Sequence, residues 1–130
     1  FDETIEDNLR IAKPDATQEE IEAACRMASV HEFILSLPDG YKTRVGALGD
    51  NLSAGEKQRI GLARAFLRGS EWILLDEPTS NVDSINEGII LTALQEQKRK
   101  KSILLVSHRE STMAIADRIY RVKDGRMAEI

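Results

Sequence analysis

The chain has 130 residues, with 18 Lys and Arg against 22 Asp and Glu and a formal charge of −4. At this length a single core can bury roughly two thirds of the unfolded surface, so no metal or disulfide staple is required. The 42% apolar and 31% charged balance excludes a disordered chain, no apolar run approaches the roughly 20 residues of a membrane span, and the mild negative charge speaks against a dedicated nucleic-acid binder.

In chain order, FDETIEDNLR is acidic and is not expected to be a secretory signal. With no initiating Met, the chain is expected to be a piece of something longer. Ile5, Leu9 and Ile11 fall at irregular spacing, which leaves the structure of residues 1–13 open. Thr17 with Glu20 forms a capping box, in which each side chain satisfies a backbone N–H of the first turn. Ile21, Ala24, Cys25 and Ala28 then form one helical stripe. As the one cysteine, Cys25 excludes an internal disulfide and fits a reducing compartment. It reads as a small buried hydrophobe, with a reactive thiol as the alternative. A short helix from Phe33 to Leu37 stops at the turn Pro38-Asp39-Gly40. His31, between two helices, reads as structural or surface.

Residues 41–51, with Gly46 and Gly49, read as a loop. Ser53 with Glu56 is a second capping box, and Ile60, Ala63, Phe66 and Leu67 line one side of a helix ending near Gly69. Trp72 to Leu75 is a continuous apolar run, the pattern of a strand buried on both faces of a parallel sheet. Asp83 or Ser84 caps the next helix, with Ile85, Ile89 and Leu94 facing inward. The basic residues 98–101 read as a solvated loop, with a patch that binds nucleic acid or anionic lipid as the alternative. Ile103 to Val106 is a second buried strand, followed by a short helix around residues 110–116. Residues 118–122 and 126–130 form a hairpin about an Asp-Gly turn. Strand, helix, strand implies a right-handed parallel crossover.

In open α/β sheets, ligands sit at the carboxyl ends of the parallel strands. One strand here ends in Asp76-Glu77, the other in Ser107-His108. An apolar strand ending in Asp is the layout of a Mg²⁺ site, because Mg²⁺ takes hard oxygen ligands and keeps several waters. A second carboxylate one residue on can orient or deprotonate an attacking water. The plain alternative is a strand end without chemistry. Leu52-Ser53-Ala54-Gly55-Glu56 puts a hydroxyl, small residues and a helix N-terminus together, which suits an anion; an ordinary capped helix is the alternative.

Together, LSAGEKQRIGLARAFLR, WILLDEPTSNVD and VSHR resemble the nucleotide-binding domain of an ATP-binding-cassette (ABC) ATPase. Residues 52–56 resemble its signature motif, usually LSGGQ. WILLDE resembles Walker B with the catalytic glutamate, Ser80 to Asp83 the D-loop, and His108 the H-loop histidine. TRVGALGDNLSAGE is similar to the x-loop region of ABC exporters. FDETIEDNLR resembles the exporter segment after the Q-loop, and DRIYRVKDGRMAE the C-terminal hairpin. Three positions depart: Ala54 stands for a usual Gly, Glu56 for Gln, and Ala47 for an x-loop Glu. Glu56 is expected to turn to its own backbone as the partner of Ser53. The 130 residues contain no G-x-x-x-x-G-K-[ST] stretch, the loop whose N–H groups and Lys cradle phosphates.

The resemblance implies an α/β fold: part of a RecA-like P-loop NTPase parallel sheet (residues 70–130) with the ABC helical signature subdomain (residues 1–69). It implies ATP hydrolysis driving export, with ATP and Mg²⁺. Asp76 would serve the metal directly or through water, Glu77 act as general base, and His108 contact the γ-phosphate. Leu52, Ser53, Ala54, Gly55 and Glu56 would meet ATP bound by a second nucleotide-binding domain, with Ser80 and Asp83 at the contact between the two. The other partner would be a transmembrane domain, placing the chain at the cytoplasmic face of a membrane; no nucleic acid is implied. A chain without the phosphate-cradling loop is expected to be inactive alone. The alternatives are a soluble ABC ATPase without transport and a truncated, non-catalytic interaction module.

Overall fold

A computed structural model describes residues 3–45 and 52–130. The expected loop at Gly46 and Gly49, and Ala47, lie outside the described residues.

The chain start is helical: α1 runs Ile5–Arg10. Thr4 accepts from the Asp7 N–H at 3.1 Å and Asp7 accepts from the Thr4 N–H at 3.1 Å, a capping box closed by Asp rather than Glu. Ile5 and Leu9, one turn apart, are both buried, while Ile11 is exposed. Glu6 binds Arg10 and, at 3.0 Å, Lys42; the Arg10 hydrogen bond above all holds its carboxyl below the usual range. The start is also tied to the segment beyond α3, through Ile5 N–H to the Thr43 carbonyl at 2.9 Å and Val45 N–H to the Glu3 carbonyl at 2.8 Å.

Helix α2 (Gln18–Met27) starts at the expected Thr17–Glu20 box, and α3 covers His31–Ser36. A 3-10 turn follows at Gly40–Lys42. His31 is buried, its Nδ1 2.7 Å from the Tyr41 hydroxyl, so it is structural. Helix α4 (Ala54–Leu67) packs against α1 and α2, and its four expected apolar residues are all buried. It stops at Gly69, whose φ of +74° suits glycine.

Strands β1 (Trp72–Asp76) and β2 (Ser102–Val106) pair in parallel, with helix α5 (Ser84–Gln97) as the crossover. The register sets Ile73 against Ile103, Leu75 against Leu105 and Asp76 against Val106. Burial on both faces is not observed. Ile73, Leu75, Ile103 and Leu105 join the core, but Trp72 (71% accessible) and Leu74 (68%) point the other way, with Leu104 and Val106 exposed beside them. Among the described residues nothing covers that face, and an apolar run alone does not reveal which of its sides is covered.

Helix α5 also faces differently from its expected stripe. Ile85, in its first turn, is 76% accessible; the core face is Ile90, Ala93, Leu94 and Gln97. The basic stretch after it is partly tethered. Lys98 Nζ donates to the Ile115 carbonyl and to Asp117, both at 3.1 Å, and Lys101 Nζ to the Ser70 carbonyl. A short helix, α6 (Glu110–Met113), precedes the hairpin of β3 (Tyr120–Lys123) and β4 (Arg126–Glu129). Asp124 and Gly125 both take positive φ, as the Asp-Gly turn requires. One apolar cluster runs from Ile5 through α2 and α4 to Ile73 and Leu94, so the helices and the strand pair share a core.

Cys25 lies in that cluster, fully buried, and burial pushes its thiol up to about 11 from an ordinary 9.0. The folded chain therefore keeps a proton that the unfolded chain releases first. This stabilisation is complete below pH 9.0 and is lost as pH rises towards 11, a fall on the order of 2–3 kcal/mol. Denaturant midpoints should drop over this window in the native sequence and stay flatter in Cys25→Ala, and iodoacetamide should label Cys25 only after unfolding. Rapid labelling of the folded protein at pH 8 would contradict the burial.

Candidate functional site at the strand ends

The parallel register brings the carboxyl ends of β1 and β2 side by side, and the chemistry collects there. Glu77 follows the last residue of β1 and takes φ +48°. A left-handed backbone at a residue other than glycine costs roughly 1–3 kcal/mol and persists only where its surroundings hold it. Here the Glu77 N–H donates to the Val106 carbonyl at 2.7 Å, extending the ladder one residue past β1. The side chain is held as well. His108 Nδ1 lies 2.8 Å from Glu77 Oε1, and Ser107 Oγ donates to Oε2 at 3.4 Å.

The carboxylate accepts in both contacts, so Nδ1 of His108 carries the hydrogen and Nε2 is left for another partner. A carboxylate offers about four lone-pair sites, so two donors leave room for a water molecule. The His108 side chain is 87% accessible. The pair therefore stands at the surface, where a ligand can reach it. Asp76, one residue earlier, is exposed, and its side chain makes no hydrogen bond or ion pair among the described residues. No group of three or more His, Cys, Asp or Glu side chains that could hold a metal occurs among the described residues. A lone exposed carboxylate fits Mg²⁺, which takes one or two protein oxygens and completes its shell with water and phosphate.

The turn after Glu77 is fastened by residues that the sequence reading missed. The Ser80 N–H donates to the Glu77 carbonyl at 3.1 Å. Thr79 is buried, and its carbonyl accepts from Arg109 Nη1 at 2.8 Å. Arg109 Nη2 also lies 2.7 Å from Glu87 Oε2 on α5. Asp83 is the N-cap of α5: its Oδ1 accepts the Asn86 N–H at 2.7 Å, and both of its oxygens accept from Asn86 Nδ2 at 3.1 Å. The Asn86 N–H above all lowers the Asp83 pKa.

Residues 52–56 sit apart from the Glu77 pair. Ser53 is the N-cap of α4 and accepts the Glu56 N–H at 3.2 Å. The expected reciprocal bond from Glu56 to the Ser53 N–H is not made; only half of the box forms. Glu56 Oε2 is instead turned inward and has no partner among the described residues. Because the Ser53 oxygen acts as acceptor in the cap, its hydroxyl hydrogen stays available to a ligand. Leu52 is half-buried, Ala54 is exposed and Gly55 is buried. A Cβ on Gly55 would collide with Asn86 Cγ and Oδ1 and lie 2.7 Å from Asn86 Cβ. The start of α4 is thus packed directly on the start of α5.

The chain is similar to known proteins. A family model described as "ABC transporter" matches residues 2–80. The chain belongs to the ABC transporter family. A "Probable ABC transporter ATP-binding/permease protein" of Haemophilus influenzae is 60% identical over 128 residues, 98% of this chain and 23% of that protein. The ABC transporter aclQ of Aspergillus oryzae is 46% identical over 129 residues, 99% of this chain and 16% of that protein. Among solved structures, a bacterial Atm1-family ABC exporter with ATP bound matches with a TM-score of 0.86 and 36% identity, over 99% of this chain and 23% of that one. The chain thus spans less than a quarter of the length of these relatives. Its α/β fold is part of the ABC nucleotide-binding fold. Among the described residues no helix is long and apolar enough to cross a membrane.

The close packing at Gly55 makes a measurable prediction. Gly55→Ala should destabilise the protein by about 1–3 kcal/mol, because the added methyl overpacks a filled contact. Asn86→Gly removes the colliding atoms, so in that background the same change should cost clearly less. Denaturant unfolding of the four chains measures the coupling; additive costs would show that Gly55 and Asn86 do not touch.

Proposed function

We propose that this chain is part of the ATP-hydrolysing domain of an ABC exporter and that Glu77 is the general base of the reaction. The observation that carries the reading is the Glu77–His108 contact of 2.8 Å at the accessible end of a parallel strand pair. Glu77 takes the proton of the attacking water, while Ser107 and His108 orient its carboxylate. With hydrogens on both ring nitrogens, His108 keeps Nδ1 on Glu77 and donates from Nε2 to the γ-phosphate. Asp76 provides the hard oxygen for Mg²⁺, directly or through water. When bound, the ion neutralises charge developing on the phosphate oxygens.

In this reading residues 1–69 are the helical signature subdomain and residues 70–130 the C-terminal part of the RecA-like core. The changeover at Trp72 from helices to a strand–helix–strand unit supports that division. Ser53 and Gly55, with Leu52, Ala54 and Glu56, present the N-terminus of the 14-residue helix α4 to the ATP of a second nucleotide-binding domain. Its positive end suits a phosphate, and the inward turn of Glu56 Oε2 keeps that oxygen off the anion. Ser80 and Asp83 belong to the contact between the two domains. A transmembrane domain is the other partner, which puts the chain at the cytoplasmic face of a membrane, and nucleic acid is not a partner. The similarity to an ABC transporter ATP-binding/permease protein and to an ABC exporter with ATP bound supports this reading. The sequence holds no phosphate-cradling G-x-x-x-x-G-K-[ST] loop, so the 130 residues by themselves should turn over no ATP.

The test uses the full-length protein that carries this segment. Glu77→Gln should cut ATP turnover by about 10²–10⁴ while ATP still binds, as loss of a general base does. Turnover at the parent rate in that variant would overturn the assignment.

A further inference from the structure

We propose that Arg109 is a positioning residue for the Glu77–His108 pair, acting by fastening the segment after β2 to α5 and to the turn after Glu77. The proposal rests on the reading of Glu77 as the base. Arg109 joins three stretches of chain through one side chain. Its Nη1 donates to the buried Thr79 carbonyl at 2.8 Å, and its Nη2 contacts Glu87 Oε2 at 2.7 Å. Its own N–H donates to Ser107 Oγ at 3.1 Å, and Ser107 Oγ in turn reaches Glu77 Oε2. The Arg109 side chain is 36% accessible and that of Glu87 16%, so the pair is partly withdrawn from solvent.

The geometry favours a positioning role over a surface ion pair. A guanidinium presents its donors in a rigid plane. With one acceptor on the Thr79 backbone and another on α5, both the place and the tilt of that plane are fixed. His108 is the residue before Arg109, and its side chain has Glu77 as its one hydrogen-bond partner among the described residues. The direction of the imidazole therefore depends on the backbone of residues 107–109, which Arg109 clamps. Release of the clamp leaves the Glu87 carboxylate unpaired and frees Ser107 and His108 to drift from Glu77. A misplacement near 1 Å at reacting groups can cost on the order of 10²-fold in rate.

The clamp also completes a path of contacts across the site. Gly55 packs on Asn86, Asn86 binds Asp83, and Glu87, the residue after Asn86, binds Arg109. The start of α4 and the Glu77 pair are thus linked through the first turn of α5.

The test measures ATP turnover by the full-length protein. Arg109→Ala should lower kcat by about 10- to 100-fold with KM for ATP within about twofold, and Arg109→Lys should recover part of the loss. In a Glu77→Gln background the same Arg109→Ala change should cost clearly less than in the parent, because the part of its effect that acts through Glu77 is gone and only the placing of His108 remains. If Arg109→Ala does not fold, Arg109→Lys and Glu87→Gln carry the test, each with a smaller fall in kcat. Unchanged kcat, an effect confined to KM, or the full loss repeated in the Glu77→Gln background would overturn the positioning role. Parent turnover in Glu77→Gln alone would overturn the base assignment beneath it, a result distinct from a normal Arg109→Ala beside an inactive Glu77→Gln.

Discussion

The parallel ladder between β1 and β2, carried one residue beyond β1 by the Glu77 N–H to Val106 carbonyl bond of 2.7 Å, is the constraint on which the site depends. A register shift of one residue would turn the opposite set of side chains to the core, so burial of Ile73 and Leu75 fixes it. With the register fixed, Glu77 has to lie opposite the residues just past Val106, Ser107 and His108. The strained backbone at Glu77 ends the strand there and leads into Pro78. Packing, register and chemistry are thus consecutive consequences of which face of an apolar strand is covered.

A second level of support comes from α5. Its first turn holds Asp83 as cap, Asn86 against Gly55, and Glu87 against Arg109. Three stretches distant in sequence therefore meet on one helical turn: the signature-like start of α4, the turn after β1 and the segment after β2. None of these contacts is large. Together they leave little freedom for the Glu77 pair, because displacement of α5 strains all three stretches.

Much of this was legible in the sequence, and the misses have physical causes. The capping boxes at Thr4 and Thr17 rest on the same reciprocal bonding, yet only the one closed by Glu was read. Ile11 obscured the one-turn spacing of Ile5 and Leu9, although it is exposed. The strands were recognised, but four apolar residues in a row carry no sign of which face is covered, and Trp72 and Leu74 are on the open one. The apolar character of Ile85 points inward, whereas Ile85 lies on the open side of the first turn of α5 and the buried face of the helix begins at Ile90. Asp76, Glu77 and His108 stand out in the sequence because strand ends gather ligands, and the structure brings Glu77 and His108 into contact. Arg109 escaped because its partners, Thr79 and Glu87, are remote in sequence and meet it only through the crossover. Glu56 shows the limit of a local pattern: Ser53 caps α4 as expected, but the Glu56 side chain turns inward instead of completing the box.

The most direct test of the account is residue-resolved amide hydrogen exchange at Glu77. If the ladder continues past β1, this amide donates to Val106 and exchanges as slowly as the amides within β1, despite lying at a turn on the surface. Exchange at the rate of an unpaired loop amide would mean that the register ends at Asp76, and the Glu77–His108 pair would lose the constraint that brings it together.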